Sequence, residues 1–486
     1  MEIKYDYYSI NMSQDNRPAL LNIRSMPTST ALQFTTDVLD PVVNVDTQGN
    51  SFTRFEMQPK GFLHPNTQLV VELEASSDAD IAKAAFPFIN VGLYSLIQRA
   101  VLKTADGTTI CETEDLADLL ACKSQFVSNS ANKEREQYKT GRQITYEQIM
   151  TDKKGQEGGG YGLSNSYDYD IRSATGGAGG VAPPAFKRQG LSVEPHLLNK
   201  NKSSFALSLH DLFPYLKSGN QLPLFMMPRV QLEIYWTSLV SDGRLCSQTV
   251  ADAATPATLF KVASTFVFAD YLFYPNDFMA EYQQKNNDLT FSYIDYRLSK
   301  NTITQTTGGA NTIRNIGGNG MQVLKVFAGF NPDTNADNIK LLQGRYSALG
   351  GKADGADGGR AKLTSNLFYN NEFIFPQAVD NPATHYHHLI SAEGGPAYIS
   401  REHYCGEGNC IVALAAHNFM GLQQRSNLQA KNFWQGFKIN NSAKFDSKGA
   451  DFHAALDADA DTTQRVWLEI LRFAKLTNGK MATFYA

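Results

Sequence analysis

The sequence predicts an all-β protein built as two tandem units with a few short helices. Three observations predict this. Apolar residues recur mostly at period two, which is the signature of strands. No helical segment follows each strand, so a parallel sheet with crossover helices does not fit. Long stretches rich in glycine and small polar residues separate the strand-like runs, as connections on a β framework do.

The strands can be read in order. Leu69, Val71, Leu73 and Ala75 alternate with Gln68, Val70, Glu72 and Glu74. Phe205, Leu207 and Leu209 alternate with Ala206, Ser208 and His210. Val230, Leu232, Ile234 and Trp236 alternate with Gln231, Glu233, Tyr235 and Thr237. Each run has one apolar and one wetter face, as on a sheet packed on one side. Further strand-like runs cover 260–274, 289–298, 321–330, 410–416 and 466–473. Helical signals are few. Thr113 can cap a segment that carries Leu116, Leu119, Leu120 and Phe126, and 276–284 can hold two turns.

The loops lie at 128–189, which includes Gly158–Gly162, Gly176–Gly180 and Pro183-Pro184, and at 306–320, 349–359 and 444–463. A boundary falls near the middle, after the small and polar stretch 238–258. Two halves of roughly 270 and 200 residues result, each with about the eight strands of a jelly roll. The predicted fold is therefore all-β, with halves that have the strand count of two tandem eight-stranded jelly rolls. No repeat of ~20–50 residues is visible, which disfavours a propeller or solenoid.

Composition narrows the function. The 486 residues are 42% hydrophobic, 19% charged and 11% aromatic, ample material for packed cores. Net charge is −4, without the basic excess that phosphate binding requires, so nucleic-acid binding is not the expected role. No apolar run reaches the ~18 residues of a spanning helix, and the first residues lack the apolar core of a signal peptide. The five cysteines, Cys111, Cys122, Cys246, Cys405 and Cys410, are odd in number and mostly far apart. Reduced thiols are expected, not a disulfide framework.

Candidate chemistry is sparse. His385, His387 and His388 cluster, with His403, Cys405 and Cys410 following. Imidazole and thiolate suit zinc, but adjacent His387 and His388 point to opposite faces of an extended chain. No second cysteine pair completes a tetrahedron, so a polar loop is expected there. Asp457, Asp459 and Asp461 resemble the opening of a calcium loop. The sixth position is then Thr462 in place of glycine and the twelfth Leu468 in place of glutamate, so a solvated acidic loop is expected. The glycine clusters lack the Lys-Ser/Thr that ends a phosphate loop, and Gly-x-Ser-x-Gly is absent. Cys122 is expected to be a buried helix cysteine. No catalytic, cofactor-binding or metal-binding residue is assigned, and no cofactor.

Three segments carry a resemblance. Leu222-Pro-Leu-Phe-Met-Met-Pro-Arg-Val230 leads into the alternating strand that ends at Trp236. Phe268-Ala-Asp-Tyr-Leu-Phe-Tyr274 runs into 275–282. Arg465-Val-Trp-Leu-Glu-Ile-Leu-Arg-Phe473 precedes Asn478-Gly479-Lys480 and the terminal Phe484-Tyr485-Ala486. In this order they resemble the major capsid proteins of eukaryotic double-stranded DNA viruses. The resemblance is to the penultimate strand of the first jelly roll, its closing strand with linker helix, and the last strand pair. The linker departs from the family's Glu-Arg-Arg, reading Asn276-Asp-Phe278. The length points to the virophage and polinton-like branch.

The resemblance implies a structural protein and not an enzyme. It implies an N-terminal arm over 1–27, a first jelly roll over 28–274, a linker helix over 275–288 and a second jelly roll over 289–486. Three chains would close into a pseudo-hexameric capsomer that tiles an icosahedral shell around DNA. The partners implied are the chain itself, neighbouring trimers, and penton and minor capsid proteins, with assembly in the infected cell. A carbohydrate-binding or carbohydrate-active β-sandwich is the alternative, since jelly rolls also build lectins.

Overall fold

The computed structural model describes residues 32–44, 52–75, 86–87, 92–116, 119–120, 139–140, 202–217, 221–236, 245–246, 260–286, 288–303, 313–332, 364–373, 377–379, 382–393, 411–415, 437–440, 443–448 and 462–485. Strands before residue 275 are β1 (Gln33–Leu39), β2 (Val43–Asn44), β3 (Phe52–Glu56), β4 (Phe62–Leu63), β5 (Gln68–Ala75), β6 (Phe86–Pro87), β7 (Ile97–Thr104), β8 (Thr109–Glu114), β9 (Lys202–Ser208), β10 (Val230–Trp236), β11 (Leu245–Cys246) and β12 (Phe260–Phe273). Two short helices, α1 (Leu209–Leu212) and α2 (Pro214–Lys217), follow β9, and α3 (Asn276–Lys285) follows β12. The remainder holds β13 (Asp288–Ile303), β14 (Arg314–Gly317), β15 (Gln322–Pro332), β16 (Thr364–Tyr369), β17 (Glu372–Phe373), α4 (Pro382–Glu393), β18 (Ile411–Ala415), β19 (Phe437–Lys438), β20 (Ala443–Lys448), β21 (Thr462–Thr477) and β22 (Lys480–Tyr485).

The described strands make four principal sheets and one small one, and their pairs are antiparallel. Before residue 275 the orders are β1-β12-β5-β9, with β4 also on β12, and β2-β3-β10-β7-β8. After residue 287 they are β13-β21-β15-β18, with β19 and β22 attached, and β14-β20-β16-β17. β6 and β11 form the small pair. Among the described residues no strand pair joins the two sets. The topology repeats: in each set the first strand lies beside the last long strand, β1 on β12 and β13 on β21.

Alternation explains the packing. On β12, Val267, Ala269 and Tyr271 are buried while Phe268 between them is exposed. On β10, Val230, Leu232, Ile234 and Trp236 are buried as the period-two pattern predicts. Glu233, expected on the wetter face, is buried as well. It is satisfied by Arg54 at 2.7 Å, Lys103 at 3.0 Å and the Tyr235 hydroxyl at 3.0 Å. Burial works against its charge, but these hydrogen bonds outweigh it and hold the carboxyl below its usual range.

Asn478-Gly479 closes the β21–β22 hairpin. Both residues have positive φ, 51° and 73°, the type I′ geometry for which Asn-Gly is preferred.

Four sequence expectations are corrected. The alternating run through Leu209 ends at Ser208. Leu209 keeps its burial but starts α1, and its N–H donates to the Thr67 carbonyl at 2.9 Å. Pro214 then opens α2, where a missing N–H costs nothing. Thr113 caps no helix: it lies in β8, and its hydroxyl donates to the Leu212 carbonyl at 2.6 Å. The segment around His385 is helical, within α4, and not an extended loop. The expected loops 306–320 and 444–463 overlap strands β14 and β20, which pair with each other. Phe445 on β20 is fully buried, a single aromatic among polar neighbours and therefore a weak strand signal.

Candidate functional site

Among the described residues, buried charged and polar side chains gather where β8 meets the second set of sheets. Cys111 on β8 donates its thiol to Asp295 Oδ1 on β13 at 3.1 Å. Arg472 on β21 holds the other oxygen, Oδ2, at 2.8 Å. The Tyr293 hydroxyl donates to the Ile110 carbonyl at 2.5 Å, and Arg472 reaches that same carbonyl at 3.4 Å. Arg472 also donates to the Thr483 hydroxyl on β22 at 2.8 Å, and Thr483 donates to the Thr109 carbonyl at 3.3 Å. Tyr215 of α2 packs edge-on against Tyr293 with ring centroids 5.2 Å apart.

The end of β8 makes a second polar knot. Asp115 sits in the left-handed region (φ 48°), a conformation that Asp tolerates better than most residues. It accepts from Arg465 Nε at 2.9 Å and pairs with Lys300 at 2.7 Å. The Trp467 indole donates to the Glu114 carbonyl at 3.4 Å.

Burial dominates the electrostatics of this seam. It raises the Asp295 carboxyl above its usual range, against the downward pull of Arg472 and the Cys111 bond. It pushes the Cys111 thiol well up, and the neighbouring Asp295 adds to that. It also raises the Tyr293 hydroxyl. Burial works against the Arg472 charge as well, but Tyr293 and Asp295 outweigh it, so the guanidinium stays charged. A thiol held protonated is a poor nucleophile and a poor metal ligand. The seam ties the two sets of strands together.

The linker helix packs on one side. Tyr282 of α3 is buried against Phe62 (5.4 Å) and Phe225 (6.0 Å), and Tyr274 lies 4.9 Å from Phe278. These partners belong to the strands and turns before residue 275. α3 is thus stapled to the first set, and β8 with α2 supplies the contacts described above to the second.

The histidines are brought together differently than expected. On α4, His385 and His388 share a buried face one turn apart, and His387 is exposed. His385 Nδ1 lies 3.4 Å from the Ser365 hydroxyl. Burial lowers the His388 pKa to about 4, so this imidazole is neutral at pH 7. Among the described residues no group of three or more His, Cys, Asp or Glu side chains is placed to hold a metal ion. His403, Cys405, Cys410, Cys122, the Asp457, Asp459 and Asp461 loop, and the glycine clusters of 158–180 lie outside the described residues.

The seam residues were not singled out from sequence. Their signal is a charge inside an otherwise aromatic or aliphatic run: Asp295 between Ile294 and Tyr296, and Arg472 between Leu471 and Phe473.

The chain has the double jelly-roll fold. It is similar to the Faustovirus major capsid protein (TM-score 0.55, 8% identity, covering 94% of this chain and 92% of that one). It is similar to a chain of the PBCV-1 virus capsid structure (TM-score 0.54, 12% identity, 95% and 98%). It is also similar to a chain of the Sputnik virophage structure (TM-score 0.50, 10% identity, 96% and 92%). No protein-family model and no curated protein sequence matches the chain. Among the described residues no helix is long and apolar enough to cross a membrane.

Proposed function

We propose that this chain is the major capsid subunit of an icosahedral double-stranded DNA virus. One observation carries the reading. The likeness to the PBCV-1, Faustovirus and Sputnik proteins spans nearly the whole of each chain. Lectins and glycosidases that use one jelly roll do not require a second, and the carbohydrate alternative has no support among these structures.

The units are an arm over 1–27, jelly rolls over 28–274 and 289–486, and a linker over 275–288. The two jelly rolls stand side by side, held by the β8 seam. Three chains close around an axis, giving six similar lobes that tile a shell. The mechanism is assembly, and no residue is assigned a catalytic role. Partners are further copies of the chain, then penton and minor capsid proteins at vertices and joints. The site of action is the virion, assembled within the infected cell. The genome is enclosed without sequence-specific contact.

Light scattering on the purified chain tests this, followed by negative-stain imaging. The expected result is three times the 53.7 kDa chain mass and a six-lobed, hexagonal outline. A stable monomer that never assembles overturns the reading.

A further inference from the structure

One contact between jelly rolls is already made inside the chain. The last strand of the order β2-β3-β10-β7-β8 lies on β13 and its neighbour β21. The topology supplies equivalents for both sides. β17 ends the order β14-β20-β16-β17 as β8 ends its own, and β1 with β12 corresponds to β13 with β21. Inside the chain both sides of the contact are covered: Ile110 and Cys111 on β8 and Tyr293 on β13 are fully buried.

The equivalents are bare and apolar. On β1 and its register partner β12, Phe34 is 53% exposed, Val38 58% and Phe268 36%. Val38 sits directly across from Phe268, and Phe34 lies on the same face of β1 beyond the Thr36–Asp270 pair. Phe266 packs edge-on against Phe268 at 5.1 Å and extends it. On the other side, Phe373 of β17 is 46% exposed and leans on Phe368 at 5.0 Å. Charges complement each other too. Asp270 stands on the patch face, bonded to Thr36 at 2.7 Å, while Lys444 lies over the Phe368 ring. Contiguous exposed apolar area on a sheet face marks an interaction surface.

We propose that the β1–β12 face around Phe34, Val38 and Phe268 of one copy receives the β16–β17 hairpin, led by Phe373, of a second copy. The proposal rests on the capsid reading above and names the surfaces that reading needs. The contact is head-to-tail: each copy gives one hairpin and receives another. Such a heterologous contact closes into a ring when its rotation allows. The ring then alternates the internal β8 contact with the external β17 contact.

The test uses the full chain and single cysteines at exposed positions, where folding is not at stake. Val38→Cys and Phe373→Cys chains are co-expressed and treated with a short bis-maleimide, with wild-type chains treated in parallel for background. The expected result is a covalent dimer in the mixture and not in either variant alone. Val38→Cys/Phe373→Cys in one chain should give a ladder that stops at three chains. Phe34→Asp should shift the light-scattering mass from trimer to monomer. A trimeric protein that yields no mixed cross-link overturns the assigned surfaces while the capsid reading stands. Cross-linking of Val38→Cys to itself also overturns them, because it demands a two-fold contact. A monomeric wild-type chain overturns both.

Discussion

The thiol of Cys111 donates to Asp295 across 3.1 Å and ties β8 of the first jelly roll to β13 of the second. Asp295 is itself gripped by Arg472 at 2.8 Å, so a buried carboxylate is shared by three strands from two sandwiches. The geometry explains how two units linked by a single helix keep a fixed relation. α3 is packed on the first unit, whereas β8 reaches the second through hydrogen bonds and α2 through the Tyr215–Tyr293 ring contact.

Breaking this pair from one side should be costly. Arg472→Met leaves Asp295 buried without its counter-charge, and the expected loss is about 3–5 kcal/mol. Asp295→Leu combined with Arg472→Met should recover most of that loss, since two apolar groups of similar size need no counter-charge. Urea midpoints of the three variants give the answer, and a double variant as unstable as Arg472→Met refutes the account. Cys111 should resist thiol reagents in the folded protein and react once the chain unfolds.

Acid should weaken the second unit through His388. Its pKa is lowered to about 4 in the fold, against the ordinary 6.5 in the unfolded chain. A depressed pKa contributes stability that is complete above the unfolded value and is lost as pH falls toward the folded one. Between pH 7 and pH 5 the expected loss is at most about 2 kcal/mol, less what solvent screening removes. Glu233, held below its usual range, adds to the loss only as pH falls further, through the carboxylate range. His388→Gln should flatten the pH 5–7 slope, read from urea midpoints. An unchanged slope refutes the assignment.

Core truncation should register in each unit. Trp236 is buried on β10, with its indole donating to Thr53 at 2.9 Å, and Ile470 is buried on β21. Trp236→Ala and Ile470→Ala should each cost about 2–5 kcal/mol. Melting like the wild type in either case refutes the inward-facing placement of that residue.

Gly61 is required at its position. Its φ is +54°, and an added Cβ would lie 2.6 Å from the Leu272 carbonyl oxygen, a backbone atom that cannot swing aside. Gly61→Ala should therefore destabilise by more than the ~1 kcal/mol of the left-handed conformation alone. Thermal melting measures this, and a loss within ±0.5 kcal/mol would show that the turn relaxes freely.

The sequence itself determined the all-β class and several framework strands. The strands read at Gln68–Ala75 and Val230–Trp236 are present in the structure because period two is a local property of an extended chain. Asn478-Gly479 declared its hairpin for an equally local reason, the cheap positive φ of those residues. Strands β14, β16 and β20 were not legible, since short polar strands such as Ala443–Lys448 carry few apolar residues and owe their form to partners far away in the chain. The same holds for α4, where His385 and His388 looked like loop residues until tertiary packing gave them a shared buried face. The seam lay wholly beyond local reading. Asp295, Arg472, Cys111, Asp115 and Arg465 are spread over some 360 positions. No local pattern records which charges meet when two sheets pack. Only the tertiary structure decided that these groups satisfy one another, because burying a charge is tolerable only where a distant partner happens to be waiting.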